Sequence, residues 1–399
     1  MSTSRRSPRI LYVAEGWAHG AQVRGLNVLR ALREIGTVEV VMLGDGHRVH
    51  DPILEVSREA KVAYTLETPS LPKKGLVAKL TWTFEPRSHY PYGCGVGEEG
   101  THQLVRSHAE FDLSWFFKLR SVDMFPNMVW QRSVVDIDDV QSTYERATLR
   151  VAGPLDRLKA LRALFVWRRR ERLLGDRFNV LTVCSEQDRD YLRRLGVDAP
   201  IHVIPNGFEK PHAEPFRRPA APPRVGFIGA FSHHPNREGV SWFVKKCWPH
   251  VKREVPDARL RLIGRESDKF PELSGPDVDL LGHLPDTSDE IQTWSAMVVP
   301  IRLGAGTRVK VAHGFSQKCP IVSTSLGALG YGAVDGREMY LADSADAFSS
   351  ACIKAIRDPE EARQMAQRAW VEFLNKWTWD AIRPRVWAAV DDCLRSNSR

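Results

Sequence analysis

The sequence predicts an α/β protein made of two doubly wound, Rossmann-like domains facing each other across a cleft, with helices at the C-terminal end. Three observations carry this expectation. The chain has 399 residues, beyond the roughly 250 to 300 at which a single core stops growing. Short β-branched runs alternate with amphipathic stretches, the pattern of a parallel sheet wrapped by helices. Glu209 to Pro223, with five prolines and no apolar periodicity, then reads as an extended linker, after which the alternation restarts.

Before the linker, strands are expected at Arg9 to Ala14, Val38 to Leu43, Lys61 to Leu66, Asp112 to Phe117, Ser133 to Ile137, Asn179 to Cys184 and Ile201 to Ile204, with a helix at Ala21 to Ile35. After it, strands are expected at Arg224 to Ile228, Arg259 to Ile263, Val278 to Leu281, Ala296 to Ile301 and Pro320 to Thr324. Helices are expected at Asn236 to Val255 and Arg308 to Gln317 and over most of the chain from Ser344 onward. The expected division is therefore residues 1–208, a linker at 209–223, and 224–399, with the last helix free to cross back. Two such sheets place a ligand cleft at the carboxyl ends of their strands.

Composition narrows the class. A hydrophobic fraction of 43% with 27% charged residues is that of a globular protein, and no segment approaches the ~20 consecutive apolar residues of a membrane span. The polar start, Met1 to Arg9, runs into an apolar stretch, Ile10 to Ala14, too short for a signal-peptide core, so a cytoplasmic protein is expected. The six cysteines, Cys94, Cys184, Cys247, Cys319, Cys352 and Cys393, lack metal-ligand spacing and read as small apolar residues in a reducing compartment.

The net charge of +8 invites an anionic partner. It concentrates between Arg146 and Arg194. There Leu155, Leu158, Leu161 and Phe165 recur at helical spacing, and Arg157, Lys159, Arg162 and Arg169 spread over the remainder. The ordinary reading is a surface helix packing its apolar stripe on its own domain; the alternative is peripheral docking on a membrane surface. Nucleic acid is not expected, because no aromatic platform or recognition motif accompanies the charge.

The most informative stretch runs from Pro300 to Lys310, Pro-Ile-Arg-Leu-Gly-Ala-Gly-Thr-Arg-Val-Lys. It leaves a buried strand and opens a helix, so glycines let the backbone approach a ligand while free amides and the helix dipole favour an anion. Arg308 and Lys310 add two positive charges, an arrangement suited to a diphosphate. A P-loop would need Gly-Lys-Ser/Thr where Gly306-Thr307-Arg308 stands, and a dinucleotide fingerprint a third glycine where Val309 stands.

Gly304 to Gly330, with Gly-Thr-Arg-Val-Lys, Pro320-Ile-Val-Ser-Thr324 and Leu326-Gly-Ala-Leu-Gly330, resembles the donor-site signature of group 1 (family 4) retaining glycosyltransferases. Ile204-Pro-Asn-Gly207, Val225-Gly-Phe-Ile-Gly229, Pro235-Asn236, Leu262-Ile-Gly264 and Leu281-Gly-His-Leu284 match further stations in order. The resemblance implies the GT-B fold and transfer of a sugar from a nucleotide-diphosphate sugar with retention. It implies no cofactor and no metal. The sequence does not name the acceptor; a lipid-linked or polysaccharide precursor is the candidate partner. Residue by residue, Arg308 and Lys310 would meet the diphosphate. Gly20, in Gly16-Trp-Ala-His-Gly20, would approach it from the first domain, where a plain turn is the alternative. Gly229, Gly304, Gly306 and Thr307 would line the donor, with Gly264 and Leu284 around the base.

There are departures from that pattern. Two glutamates usual in the family are replaced by Ala305 and His313, and His313 is expected to keep a ribose contact with its neutral imidazole. No Arg or Lys follows the second domain's first strand, so Arg308 and Lys310 must supply that charge. The strand ending in Asp136-Ile-Asp-Asp139 makes Asp138 or Asp139 a hydrogen-bonding partner of sugar or acceptor, with a helix N-cap as the alternative. His47 with His50, and His233 with His234, lack further ligands and read as surface residues. A nucleotide-sugar-binding scaffold and a GT-B sugar-nucleotide epimerase are the rival functions.

Overall fold

In the computed structural model the described residues are 6–15, 22–44, 56–69, 80, 83–85, 95–125 and 128–396. They form two compact units. One comprises residues 1–146, 154–205 and 382–399, and the other 147–153 and 206–381. The chain from Ile382 onward therefore belongs with the first half of the sequence.

The first unit holds a seven-stranded sheet of β1 (Arg9–Glu15), β2 (Thr37–Leu43), β3 (Lys61–Leu66), β4 (Leu113–Phe117), β5 (Trp130–Asp136), β6 (Phe178–Val183) and β7 (Ile201–Val203). The order is β3-β2-β1-β4-β5-β6-β7, and every pairing is parallel. All five residues of β4 are buried, which explains its unbroken apolar run: in a parallel sheet covered on both faces, alternation has no solvent side to mark. The strand order reverses between β1 and β4, the position where open α/β sheets bind ligands.

One helix start in this unit carries a titrating cap. The helix Gln141–Val151 begins with the Ser142 amide donating to the Glu171 carboxylate at 2.9 Å, and the Ser142 hydroxyl also donates to Glu171. Glu171, from another helix, thus caps this start. Glu171 is fully buried, and that burial pushes its carboxyl up to about 7 despite the bonds from Ser142. A raised acid pKa means the native state holds a proton that the unfolded chain releases above its ordinary value of 4.5, so this residue's contribution to stability falls as pH rises from there to about 7. Denaturant unfolding at a series of pH values should show that decline in wild type and a shallower one in Glu171→Gln. Asp123, raised to about 6 by burial against the pull of Arg170, retains part of the slope. Equal slopes in the two proteins would refute the assignment.

The second unit holds β8 (Arg224–Ile228), β9 (Arg259–Ile263), β10 (Val278–Gly282), β11 (Ala296–Val299), β12 (Ile321–Ser323) and β13 (Tyr340–Leu341). They run parallel in the order β10-β9-β8-β11-β12-β13, reversing between β8 and β11. The two-residue β13 was not anticipated, since so short a run has no period to read. The helix expected from Asn236 to Val255 is instead His234–Trp242, a π-helical turn at Phe243–Cys247, and Trp248–Glu254. Pro249 is the cause we assign: it has no N–H and its ring crowds the carbonyl four residues back, so the ladder slips there.

The proline-rich stretch also departs from a plain linker. The Arg218 and Ala220 amides donate to Gln292 and Thr293 carbonyls at 3.0 and 2.8 Å, and Arg217 donates to Ile291 at 2.6 Å. Residues 206–223 are thus docked on the second unit. Among the described residues no helix is long and apolar enough to cross a membrane.

Candidate functional site

The candidate site of the second unit lies at the carboxyl ends of β8 and β11, its topological switch point. Two glycines close the ends of β8 and β9. Gly229 donates to Ile263 at 2.9 Å and Gly264 to Gly282 at 2.7 Å. A side chain at Gly264 would overlap the Gly229 carbonyl, so glycine is required there by close backbone approach.

After β11 the loop from Pro300 to Thr307 leads into the helix Val309–Ser316, with Arg308 at its N-cap and no side chain capping it. Gly304 has φ 119° and Gly306 φ 70°, conformations that side chains resist. The bare face at Gly304 is where the Arg308 guanidinium lies. That guanidinium donates to the Ala305 carbonyl and, at 3.4 Å, to Leu303, so Arg308 braces the glycine turn. Thr307 is buried and its hydroxyl accepts the Asn206 amide at 3.2 Å.

Lys310 points from the first helical turn back toward the end of β8. Its ammonium donates to Asn236 Oδ1 at 2.6 Å and sits 4.1 Å from the Phe227 ring centroid. Asn236 is itself held, its Nδ2 donating to the Ala230 carbonyl at 2.8 Å. Burial and the nearby Arg308 push Lys310 well below the ordinary lysine value. Lys310 thereby occupies the space beside Gly229, since a Cβ there would lie 2.9 Å from its ammonium. A basic side chain from another element thus lies beside the segment after β8. His233 and His234 are exposed, as expected. His233 is pushed down to about 4, by desolvation first and then by Lys310 and Arg308.

Tyr331 completes the cluster and was not foreseen. Its hydroxyl donates to the Arg308 carbonyl at 2.8 Å and accepts the Ala312 amide at 3.3 Å. It thus stands between the two groups that would otherwise close the first turn of the helix. Only the fold brings Tyr331 back to that turn, so no local pattern in the sequence marks it. Asn236 lay within a recognised motif, but its hold on Lys310 depends on contact across 74 positions.

His313 lies one turn beyond Lys310. Its ring stacks on Phe208 with centroids 4.3 Å apart, and Nε2 is 3.3 Å from the Thr287 hydroxyl. Burial pushes its pKa down to about 4 against the pull of Asp286, so the imidazole is neutral near pH 7. Leu284 is half-buried in the loop that leads from β10 to Thr287 and packs against the unit's core.

In the first unit, Asp138 follows β5 with φ 60°. It pairs with Lys118 at 3.3 Å and Arg24 at 3.8 Å and accepts the Cys184 thiol at 3.0 Å. The buried residue beside it is Asp136, bound by two Arg24 nitrogens at 2.7 and 3.0 Å. Gly20, His47 and His50 lie outside the described residues. Among the described residues no three of His, Cys, Asp or Glu are grouped as a metal ion would need.

Comparison with known proteins shows what the chain is similar to. Residues 222–358 match the family described as Glycosyl transferases group 1. A Klebsiella pneumoniae protein described as an uncharacterized 44.6 kDa protein in the cps region is 25% identical over 156 residues. That match spans 37% of this chain and 40% of the relative's length. Sucrose-phosphate synthase from Thermosynechococcus elongatus superposes with a TM-score of 0.68 at 16% identity, over 98% of this chain and 100% of that one. Anabaena HepE, solved with UDP and glucose, superposes with a TM-score of 0.64 at 14% identity, over 96% and 99%. Residues 222–358 are thus similar to a group 1 glycosyltransferase domain, and the chain has the fold of the solved GT-B glycosyltransferases.

Proposed function

We propose that the chain transfers a sugar from a nucleotide-diphosphate sugar to an acceptor, with retention of anomeric configuration and without a metal ion. The observation that carries this reading is the position of Lys310 and Arg308 around an uncapped helix N-terminus, at the switch point of a glycosyltransferase domain. Breaking the glycosidic bond leaves growing negative charge on the departing diphosphate. Preorganised cations and helix amides stabilise such charge more in the transition state than in the ground state. In this reading the backbone at Gly229, Gly264, Gly304 and Gly306 lines the donor, Leu284 approaches the base, and His313 takes the ribose side as a neutral hydrogen-bonding group. The UDP and glucose bound by HepE support a nucleotide-sugar donor. The cps region of the Klebsiella relative supports a polysaccharide or lipid-linked precursor as acceptor, made at the cytoplasmic side of a membrane.

The test is incubation of the purified chain with a panel of nucleotide sugars and carbohydrate acceptors, following nucleotide release and the anomeric signals of the product by NMR. Donor-dependent formation of a retained glycoside, undiminished by EDTA, is the expected result. Loss of activity in EDTA that a divalent cation restores would overturn metal independence. Donor binding without turnover would make the chain a nucleotide-sugar scaffold, and acceptor-independent isomerisation an epimerase.

A further inference from the structure

The basic helix Pro154–Arg172 does not bury the stripe that its sequence presents. Its buried residues are Ala160, Val166, Trp167, Arg170 and Glu171. Leu155, Leu158, Leu161 and Phe165 are 79%, 69%, 49% and 48% exposed, so the expectation that they pack on their own domain is corrected. Phe84 extends the apolar surface: it is exposed, and Arg169 fixes it by donating to its carbonyl at 2.9 Å.

A groove of about 390 Å³ opens on this same face. Its apolar floor includes Leu161, Leu164 and Leu195, and its rim carries Arg168, Arg172 and Arg194. Leu161, Phe165, Arg168 and Arg172 stand at i, i+4, i+7 and i+11, one side of a helix. None of these three rim arginines has a carboxylate partner among the described residues. Unpaired guanidinium groups interleaved with exposed leucines suit a ligand surface that is anionic and apolar at once. A free phosphate would satisfy the arginines and leave the leucines in water. A nucleic acid would offer nothing for Leu155 and Leu158. The phosphate layer of a bilayer, with acyl chains beneath it, meets both.

We infer that this face docks on the surface of an anionic phospholipid bilayer. The helix lies in the interfacial plane, Leu155, Leu158, Leu161 and Phe165 enter the acyl boundary, and Arg168, Arg172 and Arg194 hold headgroup phosphates. The inference stands on the first unit alone and is independent of the donor-site reading.

Cosedimentation of the full chain with phosphatidylcholine vesicles, with and without phosphatidylglycerol, tests it at low ionic strength. Phosphatidylglycerol should tighten binding ~tenfold or more, and an Arg168→Gln/Arg172→Gln/Arg194→Gln protein should lose on the order of a hundredfold. Leu158→Ser/Phe165→Ser should weaken binding with the arginines intact, and both variants should keep the wild-type unfolding midpoint. Equal binding to the two vesicle types, or full binding by either variant, would overturn the docking face. Complete displacement by inorganic phosphate at matched phosphate concentration would overturn the bilayer as its occupant.

Discussion

Lys310→Ala should lower turnover by a hundredfold or more, about 2.7 kcal/mol or greater in transition-state stabilisation, without lowering the stability of the second unit. The two halves of this result have one cause. A lysine whose pKa is pushed well down by burial and by Arg308 carries any positive charge where it is poorly solvated. The unfolded chain binds the proton more readily than the native chain, so Lys310 costs stability below its ordinary value of 10.5, and stability rises with pH across that window. In the proposed transfer an anion arriving beside it reverses the balance, and the more charge a diphosphate gains on leaving, the larger the reversal.

The Asn236 bond holds the ammonium in place beforehand, which makes Asn236 a positioning residue. Asn236→Ala should reduce kcat more than it raises the donor KM. Arg308→Ala should also cripple turnover, but with loss of the brace on Leu303 and Ala305. Steady-state kinetics with denaturant unfolding of each variant checks this. Near-wild-type turnover in both Lys310→Ala and Arg308→Ala would remove the donor-site assignment.

Much of this arrangement was legible before any coordinates. The strand runs Lys61–Leu66, Arg224–Ile228 and Arg259–Ile263 have the bounds that the sequence indicates, because short β-branched or apolar runs between turn residues mark strands whether a sheet covers them or leaves them at its edge. The Gly304 to Lys310 cradle was legible for a similar reason: its chemistry is local, with glycines and cations within one turn of each other. What escaped was non-local. Tyr331 acts on Arg308 and Ala312 from beyond the next strand. The exposed stripe of Pro154–Arg172 escaped for another reason. Helical periodicity shows that Leu155, Leu158, Leu161 and Phe165 share a side, but not whether that side meets protein. The Asp136 to Asp139 cluster was legible as a group of acids at a strand end, but not which of them the fold buries. Four letters with three acids cannot say which one the sheet buries, and the answer depends on Arg24, 112 positions away from Asp136.

That pair gives the largest expected effect on stability. Asp136 is fully buried and the Arg24 side chain is 4% exposed. The guanidinium binds the carboxylate through two nitrogens at 2.7 and 3.0 Å and donates to the Ile204 carbonyl at 2.7 Å. Arg24→Met removes all of these at once. Asp136 keeps only the Thr182 hydroxyl at 2.7 Å among its described hydrogen bonds, and a buried carboxylate without its cation is costly. Breaking such a pair from one side typically costs about 3 to 5 kcal/mol, whereas replacing both partners with apolar residues is often close to neutral. Arg24→Met should therefore destabilise the first unit by that amount, and Asp136→Leu in the same protein should recover most of it. The recovery is incomplete, because the Ile204 carbonyl loses a donor in both proteins, worth about 1 to 3 kcal/mol if it stays buried and unmet. Urea unfolding of the wild type, both single variants and the double variant gives the coupling directly. Single-variant losses below about 1 kcal/mol, or losses that simply add in the double variant, would show that the pair does not lock the end of this strand.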